Sequence, residues 1–289
     1  MKKKRAQQPT IGSLFAGIGG FDLGFERAGW RTEWQVEINS IARSVLADNF
    51  PKARRYENVK EVTGDKLGYV DCITAGFPCQ DISQMGSRKK GGKLGLRGER
   101  SGLFFEALRI INEIRPRWVV LENVTGLLFS NNCQDLETVI RSLTDSGYVG
   151  CFRVLDARYF GVPQARRRVF LVAGLGQHPP MEFIFDAAPV EGLQITLGPL
   201  EESRDPMAWA GNTVTASNSA SRISLGAEIL VCEVGRRDKM VERERISARD
   251  GIPFGMDDEN LAMRHAAGNA VVPQVAEWIA RILIGTMRP

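Results

Sequence analysis

Histidines and paired cysteines are scarce in this chain, and long apolar runs are missing altogether. Only His178 and His265 occur, far apart in the sequence, so a histidine metal site or a Ser-His-Asp triad has little to be built from. The cysteines Cys72, Cys79, Cys133, Cys151 and Cys232 are odd in number and include no Cys-x-x-Cys pair. That argues against a disulfide framework and against a thiolate zinc centre; Cys72, Cys133, Cys151 and Cys232 read as structural. No run of about 18 or more apolar residues is present, which excludes a membrane helix. The basic start Met1-Lys2-Lys3-Lys4-Arg5 is followed by no apolar stretch, so it is not expected to act as a signal peptide. The expected compartment is the cytoplasm. No internal repeat and no low-complexity tract breaks the chain.

What is present is an ordinary globular composition, 43% hydrophobic and 25% charged over 289 residues, enough to bury a sizeable core without a staple. The net charge of +4 is mild. Its distribution is more informative: Arg88, Lys89, Lys90, Lys93, Arg97 and Arg100 face a single nearby acid, Glu99. Glycines interrupt the same stretch, Gly86, Gly91, Gly92, Gly95 and Gly98, a composition suited to a mobile, phosphate-contacting flap.

Apolar patterning predicts strands at 10–15, 32–36, 70–75, 118–121, 151–155 and 169–173, and helices at 20–28, 40–49, 101–114 and 136–143. The 101–114 helix carries Leu103, Phe104, Leu108, Ile111 and Ile114 on its apolar face. Strands alternating with helices imply a parallel α/β sheet covered on both sides. Ligands in such sheets bind beyond the carboxyl ends of the strands. From about residue 177 the pattern becomes richer in Pro, Gly, Ser and Asn, with 181–185 and 229–234 read as strands of a small irregular second domain. A last helix is predicted over 273–283, with Val275, Trp278, Ile279 and Ile282 on one side. The division expected is 1–174 as a first, larger domain, 175–255 as a small second domain, and 256–289 as a C-terminal helix returning to the first.

Four groups of residues fall where chemistry is expected. Phe15-Ala16-Gly17-Ile18-Gly19-Gly20 joins the first strand to the first helix, and its glycines let a ligand approach the backbone. Glu37, at the end of the second strand, is placed to accept hydrogen bonds from ribose hydroxyls. This pair fits NAD, FAD or S-adenosylmethionine. Cys79, in Gly76-Phe77-Pro78-Cys79-Gln80, follows the 70–75 strand; a nucleophilic thiol there needs nearby positive charge or a helix N-terminus. Glu122, in Glu122-Asn123-Val124, follows the 118–121 strand. A carboxyl with a raised pKa beside an aromatic ring nitrogen can share a proton. In Gln164-Ala165-Arg166-Arg167-Arg168, alternation sets Arg166 and Arg168 on one face, able to hold a base carbonyl or a phosphate.

Taken in order, Phe-Ala-Gly-Ile-Gly-Gly at 15–20, Glu37, Gly-Phe-Pro-Cys-Gln at 76–80, Glu-Asn-Val at 122–124, Gln-x-Arg-x-Arg at 164–168 and Gly-Asn-Ala-Val at 268–271 resemble the cytosine-5 DNA methyltransferases. The likeness is dense over 10–174 and resumes near 251–286. It implies an S-adenosylmethionine-dependent, Rossmann-like mixed sheet with helices on both faces, plus a small target-recognition domain. It implies Cys79 as the nucleophile on cytosine carbon 6, Glu122 as the partner of ring N3 and the exocyclic amine, and Arg168 with Arg166 as support for the base carbonyl. The S-adenosylmethionine pocket would be formed by Phe15, Ala16, Gly17, Gly19, Gly20, Glu37, Ile38, Asn58, Val59, Pro78 and Leu103, closed by Asn269. Ile38 stands where the family often has an aromatic residue, and Asn58 where aspartate is common. DNA contacts are assigned to Gln80, Ser83, Arg88, Lys89, Gln164, Arg222, Arg236 and Arg237.

The expected partner is double-stranded DNA, with no membrane, no metal and a monomeric enzyme. Addition of a thiolate to carbon 6 turns the ring into an enamine that attacks the sulfonium methyl, and the base must first leave the duplex. A transfer-RNA methyltransferase of the same chemistry and a catalytically silent DNA-binding regulator are the alternatives, with a nicotinamide dehydrogenase more distant.

Overall fold

The computed structural model describes residues 8–78, 102–162, 164–185, 229–233 and 270–287. Strands β1 (Thr10–Leu14), β2 (Arg31–Val36), β3 (Arg54–Tyr56), β4 (Cys72–Gly76), β5 (Trp118–Val124), β6 (Tyr148–Asp156), β7 (Arg167–Leu175) and β8 (Ile229–Glu233) form one sheet in the order β3-β2-β1-β4-β5-β7-β6-β8. Alternate residues serve opposite faces. Along β5, Val119 and Leu121 join the core under α4 (Leu103–Ile114) and α5 (Gln134–Asp145). Trp118 and Val120 join the core under α1 (Gly20–Arg27) and α7 (Pro273–Gly285). Both faces are therefore apolar, as a helix-covered sheet requires.

The left half of the sheet is parallel: β3, β2, β1, β4 and β5 all run the same way. The parallel sheet read from strand–helix alternation gives way to the mixed sheet that the resemblance implies: β7 is antiparallel to both β5 and β6. The connection between β6 and β7 is too short for a helical crossover, so the chain reverses, and β7 inserts between β5 and β6. The reversal has a functional consequence: the start of β7 lies at the edge where β5 ends, with Arg168 registered against Val124.

Three further expectations change. Residues 181–185 form a short helix, α6 (Met181–Phe185), rather than a strand; Phe183 N–H donates to the Pro180 carbonyl, and short apolar runs do not distinguish the two states. The segment Ile229–Glu233 is a strand, but it pairs parallel to β6 on the edge of the main sheet. The third is β5, which continues through Val124, so Glu122 lies within a strand instead of after it.

The last helix is fastened to the first by close approach. A Cβ at Gly20 would meet the Val271 carbonyl oxygen at 2.1 Å, and one at Gly24 the Pro273 oxygen at 2.5 Å. Buried Trp30 donates its indole N–H to the Ala280 carbonyl at 3.1 Å. Arg153, fully buried on β6, donates to the Phe183 carbonyl at 2.8 Å and lies over the Trp278 ring, tying α6 to α7. No helix among the described residues is long and apolar enough to cross a membrane.

Candidate functional site

Three parallel strands deliver their ends to one edge. After β1 the chain turns through Phe15, whose φ of 53 lies in the left-handed region that an aromatic residue seldom enters. Gly17 and Gly19 are also left-handed, with φ of 56 and 90, and Ala16 N–H donates to the Val36 carbonyl at the end of β2. A Cβ on Gly17 would meet nothing within 4 Å, so the loop presents open space on its outer side. Glu37, just past β2, spans the opening. One carboxylate oxygen accepts Gly17 N–H at 2.7 Å and the other accepts Asn39 N–H at 2.8 Å. Ile38 beside it is 68% exposed. An acid at a loop of left-handed glycines, next to an exposed aliphatic surface, suits a ligand with a ribose and a flat ring.

The other residues expected around this pocket divide. Asn58 acts locally: its side-chain oxygen accepts Lys60 N–H and its amide donates to Glu61. Val59 is buried in the core, and its carbonyl accepts from Arg109; any ligand contact from it is made by backbone. Leu103 starts α4 and packs partly against the core, and Pro78 is partly exposed.

Glu122 sits across β4 from the first loop, registered against Gly76. It is buried, and Arg168 Nε lies 3.1 Å from its Oε1 as an ion pair. Arg166 is also buried at the same edge. Arg167 between them is exposed, so the alternation expected of the Arg-Arg-Arg run holds in space. Burial pushes the Glu122 carboxyl up from its ordinary pKa, against the pull of Arg168 and Arg166. The Arg166 pKa is lowered by burial and by Arg168, with Glu122 opposing. Glu122, Arg166 and Arg168 line a cleft together with Ala157 and Val272. A carboxyl inclined to keep its proton, with two guanidinium groups beside it, can donate to a ring nitrogen while the cations hold an adjacent carbonyl oxygen.

The segment leading to Cys79 leaves the sheet beside Glu122. Asn123 fixes it: its amide donates to the Phe77 carbonyl at 3.3 Å in a buried hydrogen bond, and Phe77 packs on Phe104 at 5.4 Å between ring centroids. Asn123 thus positions the segment, and its place directly after Glu122 in the Glu-Asn-Val motif marks it in the sequence. Cys79, Gln80, Ser83, Arg88, Lys89, Arg222, Arg236, Arg237 and Asn269 lie outside the described residues. Gln164 is exposed at the approach to β7. Among the described residues, no group of three or more His, Cys, Asp and Glu is placed to hold a metal.

The family model of the C-5 cytosine-specific DNA methylases matches residues 10–218. The Type II methyltransferase M.DsaV of Dactylococcopsis salina is 35% identical, covering 94% of this chain and 84% of that protein. The Type II methyltransferase M2.BsuMI of Bacillus subtilis (strain 168) is 39% identical over 58% of this chain, but the match spans only 42% of that relative. The match to M.Bsp6I of Bacillus sp. (strain RFL6) spans 51% of it. Among solved structures, a putative DNA modification methyltransferase from an Escherichia coli prophage superposes with a TM-score of 0.63 at 18% identity, covering 96% of this chain and 99% of that one. Dnmt2 of S. pombe gives 0.59 at 17%, covering 97% and 99%; both show likeness of fold. With the family model matching most of its length and M.DsaV aligned along nearly all of it, the chain belongs to the C-5 cytosine-specific DNA methylases.

Proposed function

We propose that this protein is an S-adenosylmethionine-dependent DNA (cytosine-5)-methyltransferase. The observation that carries the reading is the Glu122–Arg168 ion pair, joined by Arg166, at the sheet edge where the Gly76-Phe77-Pro78 segment departs toward Cys79. S-adenosylmethionine supplies the electrophilic methyl group. The loop at 15–20 and Glu37 would hold it, Glu37 at its ribose hydroxyls, and Ile38 would cover its flat ring. The double-stranded DNA substrate presents a cytosine turned out of the stack. Cys79 adds as thiolate to carbon 6, and Glu122 gives its proton toward ring N3, so that negative charge does not accumulate on the ring. Arg168 and Arg166 hold the carbonyl oxygen at carbon 2. Carbon 5 then takes the methyl group and leaves the cofactor as its demethylated thioether, the carbon-5 proton passes to a base, and the Cys79 sulfur is expelled as thiolate while the N3 proton returns to Glu122.

Residues 175–255 are proposed as the target-recognition region, with Arg222, Arg236 and Arg237 reading base edges or holding phosphates. The basic 84–100 segment, with Arg88 and Lys89, is proposed to close over the DNA. The enzyme is proposed to act as a monomer in the cytoplasm, on the nucleoid.

The test incubates the full chain with methyl-labelled cofactor and duplex DNA, with transfer RNA as competitor. Label on cytosine carbon 5 of DNA, lost in Cys79→Ser with cofactor binding kept, is the expected result. Labelling of transfer RNA in preference, or full activity of Cys79→Ser, would refute the reading.

A further inference from the structure

Beneath the glycine loop lies a buried polar cluster that the chemistry above does not use. Asp22, in the first turn of α1, is fully buried against the sheet. Ser13 on β1 donates its hydroxyl to Asp22 Oδ1 at 2.9 Å, and the same hydroxyl oxygen lies 2.9 Å from that of Thr74 on β4. Gln35 on β2 is close enough to act on the carboxyl as a hydrogen-bond partner. Even so, Asp22 Oδ2 and both polar side-chain atoms of Gln35 are buried without a well-formed hydrogen bond. An unsatisfied pair of this kind is costly and calls for a role.

We infer that the Ser13–Asp22–Gln35–Thr74 cluster is a proton-sensitive positioning device for the cofactor loop, which binds S-adenosylmethionine more tightly when Asp22 is ionised. The inference rests on the assignment of residues 15–20 as the cofactor loop.

The two states of Asp22 ask opposite things of Gln35. An ionised carboxylate must accept from the Gln35 Nε2–H; a protonated one donates from Oδ2 to Gln35 Oε1, which requires the carboxamide to turn over. The proton comes from water, and no other bond changes. Gln35 is one residue from Val36, whose carbonyl accepts Ala16 N–H, and two from Glu37, which holds Gly17 N–H. Asp22 itself sits in the helix turn that begins at the end of the loop. The loop is thus gripped from both sides by elements that meet at this carboxyl.

Charge supplies the direction. S-adenosylmethionine carries one net positive charge at neutral pH, and a negative charge buried under its loop attracts it with little screening. Burial raises the Asp22 pKa to about 6, within a working range of pH, against the lowering effects of Gln35 and Ser13. The groups acting on it are uncharged Gln35 from β2 and Ser13 from β1, with Thr74 of β4 behind Ser13. Glu26, one turn along α1, is the charged group that acts on it, and none from α7 does.

The experiment is isothermal titration of the full chain with S-adenosylmethionine and with S-adenosylhomocysteine, which lacks the sulfonium charge, from pH 5.5 to 7.5. The Kd of wild type for S-adenosylmethionine should fall about three- to tenfold as pH rises, with a smaller change for S-adenosylhomocysteine. Asp22→Asn should hold a nearly constant Kd close to the wild-type value at low pH. Ser13→Ala removes the donor to Oδ1 and should move the midpoint of the wild-type curve up by about a unit. This variant decides the matter if Asp22→Asn does not fold, since an unmoved midpoint overturns the inference. Asp22→Asn as pH-dependent as wild type overturns it while leaving the loop assignment standing. Failure of wild type to bind S-adenosylmethionine at any pH overturns both.

Discussion

Replacing Gly24 by alanine sets two ordinary rules against each other. Gly24 is inside α1, where alanine is favoured over glycine by about 1 kcal/mol of helix propensity. On propensity alone the substitution stabilises. In the fold, the new Cβ would lie 2.5 Å from the Pro273 oxygen, 2.6 Å from the Ala276 Cβ and 2.7 Å from the Glu277 nitrogen. Two of these are backbone atoms of α7, so no side chain can swing away, and the helices must separate by roughly 1 Å to restore normal contact. Overpacking of this kind costs about 1–3 kcal/mol. The separation also strains the buried Trp30–Ala280 hydrogen bond, whose loss leaves a buried donor at a cost of about 1–3 kcal/mol. Set against the propensity gain, the net is a destabilisation of about 3 kcal/mol, or about 6–12 °C in Tm for a domain of this size. Differential scanning calorimetry and urea unfolding measure it directly. An unchanged or raised Tm would refute the docking of α7 on Gly24. The same displacement would reach the site, because Val271 backs onto Gly20 and Val272 lines the cleft with Glu122 and the arginines.

Glu122→Gln keeps a hydrogen-bonding side chain but cannot pass a proton to the ring; single-turnover methyl transfer should slow by about 10²–10⁴-fold while the Kd for S-adenosylmethionine stays within twofold. An unchanged rate would remove Glu122 from the chemistry. Asp22 also sets a pH dependence of stability. Its pKa is about 6 when folded against 3.8 for the ordinary group, so the folded state binds the proton more tightly. Asp22 therefore lowers stability as pH rises from about 4 to 6, by about 3 kcal/mol in all. Urea unfolding across that window should show Asp22→Asn gaining on wild type toward neutral pH, and parallel curves would contradict the assignment.

Local signals carried most of the element order. Helix α2 (Ser40–Asn49) coincides with the expected 40–49, because Asn39 caps it, accepting Ala42 N–H, and its apolar residues keep a helical period. The 101–114 helix was placed from its apolar stripe, yet the structure buries Ala107 and Ile110 alongside Phe104, Ile111 and Ile114, and leaves Leu103 and Leu108 at the margin. Several apolar residues competed for one face, and only the neighbouring helix and sheet decide which face is inward. The antiparallel β7 and the edge pairing of Ile229–Glu233 left no local mark, because strand direction and neighbour are set by contacts distant in sequence.

That same reversal explains why the candidate site was legible in its members but not in its assembly. Glu37 sits just past a strand end and Glu122 near another, where a parallel sheet is expected to gather ligand-binding groups. Arg166 precedes β7 and Arg168 lies at its start, a position that rule would discard, and they reach the same edge because β7 runs backward beside β5. The tasks of Asn123 and Asp22 are not legible in the sequence for a different reason: each acts through a partner brought by another element, the Phe77 carbonyl from the end of β4 and Ser13 from β1. A side chain that touches a ligand carries its meaning in its type and place. One that holds such a side chain acquires meaning only from the register of strands and the face of a helix, so the supporting groups of this site emerge only once β1, β2, β4 and α1 are seen to converge.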